Sequence, residues 1–106
     1  MDSVTIVDLS GRITLGEGSV ALGDTIRDLI GRGNKKILLN LGEITYIDSS
    51  GIGGLVSAFN VTRSQGGELK LVNLTKKVRD LLRMTKLDTF FDIKDDEATA
   101  IAAFTK

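Results

Sequence analysis

Near the middle of the chain lies an almost continuous apolar run, Ile37-Leu38-Leu39-Asn40-Leu41. A strand with one face in water alternates apolar and polar residues, so a run without alternation suits a central strand covered on both faces. Such cover comes from helices packed on a sheet, which makes this an α/β chain. At 106 residues it is long enough for one domain and too short for a second core. The flanking segments agree. Val4 to Leu9 is β-branched and largely apolar, a good strand, and Ser10-Gly11 can turn the chain into a short second strand, Arg12 to Leu15. Gly16-Glu17-Gly18-Ser19 breaks the pattern. Leu22, Ile26, Leu29 and Ile30 then recur at helical spacing, ending near Gly31 and Gly33-Asn34. Gly42 to Ile47 reads as a connection. A second helix carries Ile52, Leu55, Val56 and Phe59, and Leu69 to Leu74 is a further strand. Thr75 is placed to cap a helix containing Val78, Leu81 and Leu82, Phe90 to Ile93 reads as an edge strand, and Asp95-Asp96-Glu97 opens a last Ala-rich helix. The predicted order is β-β-α-β-α-β-α-β-α, with parallel neighbours joined by right-handed crossovers.

Composition narrows the function by what it lacks. Lys plus Arg and Asp plus Glu number 14 each, so the formal net charge is zero. Neither a nucleic acid nor an anionic membrane surface is then an expected partner. No apolar run approaches the roughly 20 residues of a membrane-spanning helix, and Met1-Asp2-Ser3 lacks a signal-peptide pattern. The expected location is the cytoplasm. The chain has no cysteine and no histidine. Thiolate nucleophiles and zinc–cysteine sites are excluded, and so is the side chain that most often serves as general base or metal ligand. No catalytic residue, metal or cofactor is expected. Asp95-Asp96-Glu97 reads as a helix cap, and Lys76-Lys77, Arg79 and Arg83 as a solvated helix face.

One segment points to a function. In open α/β sheets, interactions concentrate where a strand's carboxyl end meets the next helix. The helix after the central strand opens with Asp48-Ser49-Ser50-Gly51-Ile52-Gly53-Gly54. Its hydroxyls sit at a helix N-terminus, where unpaired N–H groups and the dipole favour negative charge. Asp or Ser there can be a simple cap. Three glycines in four positions, each costing about 0.5–1 kcal/mol against alanine, exceed what a cap requires. At ~100° per residue, Ser50 lies roughly 200° from Ile52, on the outward side, whereas Ser49 leans toward the sheet. Ser50 is therefore the better acceptor for a kinase, and Asp48 or Ser49 the cap. A phosphoserine carries about −1.5 to −2 charges at pH 7, which would repel a partner packed over the glycines.

The segment Leu38 to Leu41 through Ile47-Asp48-Ser49-Ser50-Gly51-Ile52-Gly53 resembles the signature of the STAS domain, the family of bacterial anti-sigma factor antagonists. The likeness reaches Leu9-Ser10-Gly11-Arg12-Ile13, Leu69 to Val72 and Leu87-Asp88, nearly the whole chain. The resemblance implies a four- to five-stranded mixed β-sheet with about four α-helices and no catalysis. It implies binding to an anti-sigma factor that is also a serine kinase, which frees the sigma factor. The kinase uses ATP to phosphorylate the serine before the glycine, Ser50 here, with Ser49 as the alternative. A PP2C-type phosphatase reverses the step. Asp48, Ser49, Gly51, Ile52 and Gly53 would lie at the contact surface, with Gly16 and Glu17 beside them. Family members carry a further strand ahead of Val4, so here the sheet edge is shorter or the chain truncated, and an open edge is a route to a homodimer.

Three other functions compete. One is a STAS interaction subunit of a larger assembly, a lipid transporter or a stressosome-like complex, without phosphate turnover. Another is an aspartyl-phosphate receiver using Asp48, which needs an acidic pair after the first strand. Asp8 lies within that strand and has no acidic neighbour. The third is a nucleotide-binding enzyme, for which neither Gly-x-Gly-x-x-Gly after a strand nor a P-loop is present.

Overall fold

The computed structural model describes residues 4–13 and 17–104, the side chains of 17–21 excepted. The elements are β1 (Thr5–Ile13), α1 (Glu17–Gly31), β2 (Lys36–Ile47), α2 (Ser49–Ser64), β3 (Glu68–Val72), α3 (Lys76–Met84), β4 (Asp92–Lys94) and α4 (Glu97–Phe104). The sheet has four strands in the order β1-β2-β3-β4, and each adjacent pair is parallel. The mixed sheet expected from the family resemblance is therefore, over the described residues, a parallel one.

Two local expectations change with it. Ser10-Gly11 does not turn the chain, and β1 runs unbroken to Ile13. Gly11 takes φ +84°, a left-handed conformation, between register shifts at Asp8/Ser10 and Gly11/Arg12. Glycine takes that conformation without steric cost, so β1 follows the irregular partner strand without turning away. At each shift β2 carries one residue more than β1, and the pairing resumes so that Ile13 faces Ile47. Gly42 to Ile47, read as a connection, is accordingly the second half of β2, with Ile44 and Ile47 buried. α1 begins at Glu17, inside the break expected over Gly16 to Ser19, of which Gly16 lies outside the described residues.

Successive parallel neighbours joined by crossovers of one hand put their helices on one face. The main core bears this out. Leu22 and Ile26 of α1, Ile52, Leu55 and Ala58 of α2, and Val78 and Leu82 of α3 pack on Ile37, Leu39, Leu41, Leu69 and Leu71. The opposite face has a small second core, in which Ala100 and Phe104 of α4 cover Leu38 and Val72. The continuous apolar run has its explanation here: Leu38 points to one core and Leu39 to the other. Lys70, on the α4 face, is only 7% exposed. Its ammonium pairs with Asp92 and lies 5.0 Å from the Phe104 ring centroid, while Lys36 Nζ donates to the Phe104 carbonyl at 3.2 Å.

Candidate functional site

β2 ends at Ile47 and the chain passes directly into α2. Asp48 is extended (φ −115°, ψ −175°) and its carboxylate accepts from the Gly51 N–H at 2.8 Å. Its carbonyl accepts from the Ile52 N–H at 3.0 Å, which makes Asp48 the N-cap. Ser49 and Ser50 are the first two helical residues, and no acidic residue stands in the first turn. The N–H groups of such positions have no intrahelical acceptor, so they meet solvent or a bound anion.

Both serines are exposed. The helix phase that turned Ser49 inward is not met, because the capping role falls to Asp48 and leaves each hydroxyl on the surface. Among the described residues, neither hydroxyl takes part in a hydrogen bond given by the geometry. The glycines divide sharply. A methyl group on Gly51 would stand 2.1 Å from the Ile13 carbonyl oxygen and 2.8 Å from Ile47 Cγ1. No real Cβ tolerates such a contact, so Gly51 is what lets the start of α2 rest on the end of β1. A methyl on Gly53 meets nothing within 4 Å, and Gly53 is exposed. Gly51 and Ile52 are buried and form the floor of the site, while Ser49, Ser50 and Gly53 form its surface. Glu17 is the first residue of α1, and Gly16 lies outside the described residues.

Beside this helix start is a group of residues that periodicity did not single out. Arg12 pairs with Tyr46 across β1 and β2, and the Arg12 guanidinium carbon lies 5.2 Å from the Tyr46 ring centroid. Lys77 Nζ, from the first turn of α3, lies 5.4 Å from the same ring. The expected solvated face of α3 thus carries one lysine turned onto an aromatic ring. An open groove of about 580 Å³ runs along Tyr46, Ile47, Lys76, Lys77, Asp80, Leu81 and Met84. The signal for it is tertiary, since 34 residues separate Arg12 from Tyr46. Among the described residues, no group of three or more Asp or Glu is arranged to hold a metal ion. Nor is any helix long and apolar enough to cross a membrane.

These features define a class: a single-wound α/β domain that presents the bare start of a helix at the carboxyl end of its central strand. The chain belongs to the STAS domain family, whose model matches residues 1–100. It is 40% identical over 53 residues to the anti-sigma-B factor antagonist of Bacillus subtilis, a match covering 50% of this chain and 49% of that protein. The match thus spans about half the length of that relative. The Thermotoga maritima protein TM1081 superposes with a TM-score of 0.88 at 27% identity, over 100% of this chain and 91% of that one. The Bacillus anti-sigma factor antagonist SpoIIAA has been solved unphosphorylated and phosphorylated, each with a TM-score of 0.70. At 18% and 19% identity, with 97% of this chain covered, those two structures share the fold.

Proposed function

We propose that this protein is an anti-sigma factor antagonist, a non-enzymatic cytoplasmic regulator that binds an anti-sigma factor with serine-kinase activity and so releases a sigma factor. Phosphate on Ser50, or on Ser49 beside it, switches the binding off, and a PP2C-type phosphatase restores it. The observation that carries this reading is the pair of exposed hydroxyls on an uncovered helix N-terminus, beside the bare surface of Gly53. Relatives named as antagonists of anti-sigma factors support the role, and SpoIIAA, which has a phosphorylated form, supports the switch.

The chemistry is consistent with a switch that leaves the fold alone. Two positions into a helix, a phosphate meets free N–H groups and the positive end of the dipole, so the added charge is tolerated locally. A partner seated over Ser49, Ser50, Gly53 and the Asp48 carboxylate meets new bulk and about two negative charges. Binding is lost by exclusion and repulsion.

The test is to incubate the protein with ATP and each serine kinase of the anti-sigma type from the source cell, map the phosphosite, and measure binding of Ser49→Asp and Ser50→Asp. Loss of label in Ser50→Ala assigns Ser50, and loss in Ser49→Ala assigns Ser49. The Asp variant at the assigned position should weaken kinase binding at least tenfold with an unchanged urea midpoint. If both Asp variants bind like the parent, the switch is wrong and the surface is an interface of a larger assembly.

A further inference from the structure

We propose that the groove around Tyr46 is a specificity determinant, selecting a partner segment that carries acidic side chains next to an apolar one. The inference rests on the reading of this end of the molecule as the partner surface and names the chemistry that the surface reads.

Three observations carry it. The first is exposed apolar area. Tyr46 is 38% and Met84 80% exposed, and with Ile47 and Leu81 they line one groove. Large apolar side chains gathered on one surface lower their free energy when a partner covers them. The second is charge. Lys76 is paired with Asp80 at 3.1 Å, but among the described residues Arg12 and Lys77 have no carboxylate within ion-pair reach. Lys76, Lys77 and Asp80 line the groove with one positive charge in excess, and Arg12 over the Tyr46 ring adds a second beside it, on a chain whose net charge is zero. The two unpaired cations flank the same ring, so an acidic residue reaching either one lies beside an aromatic face. The third is continuity. Ile47 lines the groove and also lies against Gly51, so the groove and the start of α2 share a wall.

An acidic occupant also connects the groove to the switch. A phosphate on the first turn of α2 adds negative charge beside the segment that Arg12 and Lys77 attract, and so opposes it directly. A single-stranded nucleic acid would also use cations around an aromatic ring. A nucleic-acid strand carries a phosphate at every nucleotide and needs a wide basic surface, which a chain of zero net charge does not favour, whereas a short acidic segment needs only Arg12 and Lys77.

The test uses the full chain, labelled with ¹⁵N and titrated at low ionic strength with three probes. These are the blocked peptide Glu-Asp-Leu-Asp-Glu, its amide analogue Gln-Asn-Leu-Asn-Gln, and an oligothymidine strand. The acidic peptide should move the amide resonances of Tyr46, Lys77 and Leu81, and bind about three- to tenfold more tightly than its analogue, with the margin shrinking as salt is added. Arg12→Glu and Lys77→Glu, both at exposed positions, should each remove most of that margin with the remaining spectrum unchanged. Equal binding of the two peptides, binding indifferent to both substitutions, absence of shifts in the groove, or preference for the oligonucleotide would each overturn the proposal. Because no kinase takes part, these outcomes are separate from failure of the Ser49 and Ser50 variants.

Discussion

Gly51 and Gly53 stand two residues apart in the first turns of one helix and have opposite roles. Gly51 is fixed by contact: its substitution to alanine drives a methyl into the Ile13 carbonyl, so α2 must lift from the sheet. Overpacking of this kind costs about 1–3 kcal/mol, and the 2.1 Å approach places Gly51→Ala at the upper end. Gly53→Ala meets open space inside a helix and should gain about 0.5–1 kcal/mol. Urea unfolding of the two variants checks both signs, and a shared sign would contradict the division between floor and surface. If Gly53 serves the partner, Gly53→Ala is also the variant that becomes more stable while binding less. In the amino-acid sequence the two glycines look alike. Only the carbonyl of a residue 38 positions earlier tells them apart.

At the scale of elements, much of the local grammar was legible because it is local. Thr75 caps α3 by accepting from the Val78 N–H at 3.3 Å, and Asp96 opens α4 by accepting from the Thr99 N–H at 2.8 Å, both from side chains predicted to stand at those helix starts. The end of α3 was less obvious. Lys86 sits at φ +60° while its N–H bonds the Arg83 carbonyl and the Leu87 N–H bonds the Leu82 carbonyl. This closure is one that glycine usually provides, and a side chain there is strained. Lys86→Gly should therefore raise stability by up to about 1 kcal/mol, read as a higher urea midpoint at unchanged m-value. A lower midpoint would mean that the lysine side chain contributes more than the backbone strain costs. The strands were harder. Ser10-Gly11 is also a turn signature, and only the pairing with β2 alongside shows that the chain runs straight through it.

At the scale of the molecule, the Lys70–Asp92 pair beneath Phe104 adds a side-chain tie between β3, β4 and α4. Burial pushes the Asp92 carboxyl up, but hydrogen bonds and charges from Lys70 and Lys94 outweigh it, and its pKa lies below the ordinary 3.8. A depressed carboxylate stabilises the fold fully above the unfolded value and loses that contribution as pH falls through the folded one. Asp92→Asn should accordingly lower the urea midpoint at pH 6 and lose less of it between pH 5 and pH 3 than the parent does. A parallel fall in the two proteins would remove Asp92 from the acid response. β1 is an edge on which the homodimer expectation rested. The extra residues at the two register shifts lie in β2, so on β1 itself the left-handed Gly11 is the irregularity that edge-to-edge pairing would meet.

The sequence by itself determined the α/β class, the central strand, the helices and the position of the serine pair at a helix start. Those properties follow from periodicity and capping within a few residues of each other. Tertiary structure alone decided that β1 is one unbroken strand, that β2 takes up the extra residues and runs on to Ile47, that Gly51 is a contact and Gly53 a surface, and that Arg12 and Lys77 meet over Tyr46. Each of these depends on the register between parallel strands joined by a whole helix. A parallel crossover sets that register through packing of the core, which no short stretch of the chain records.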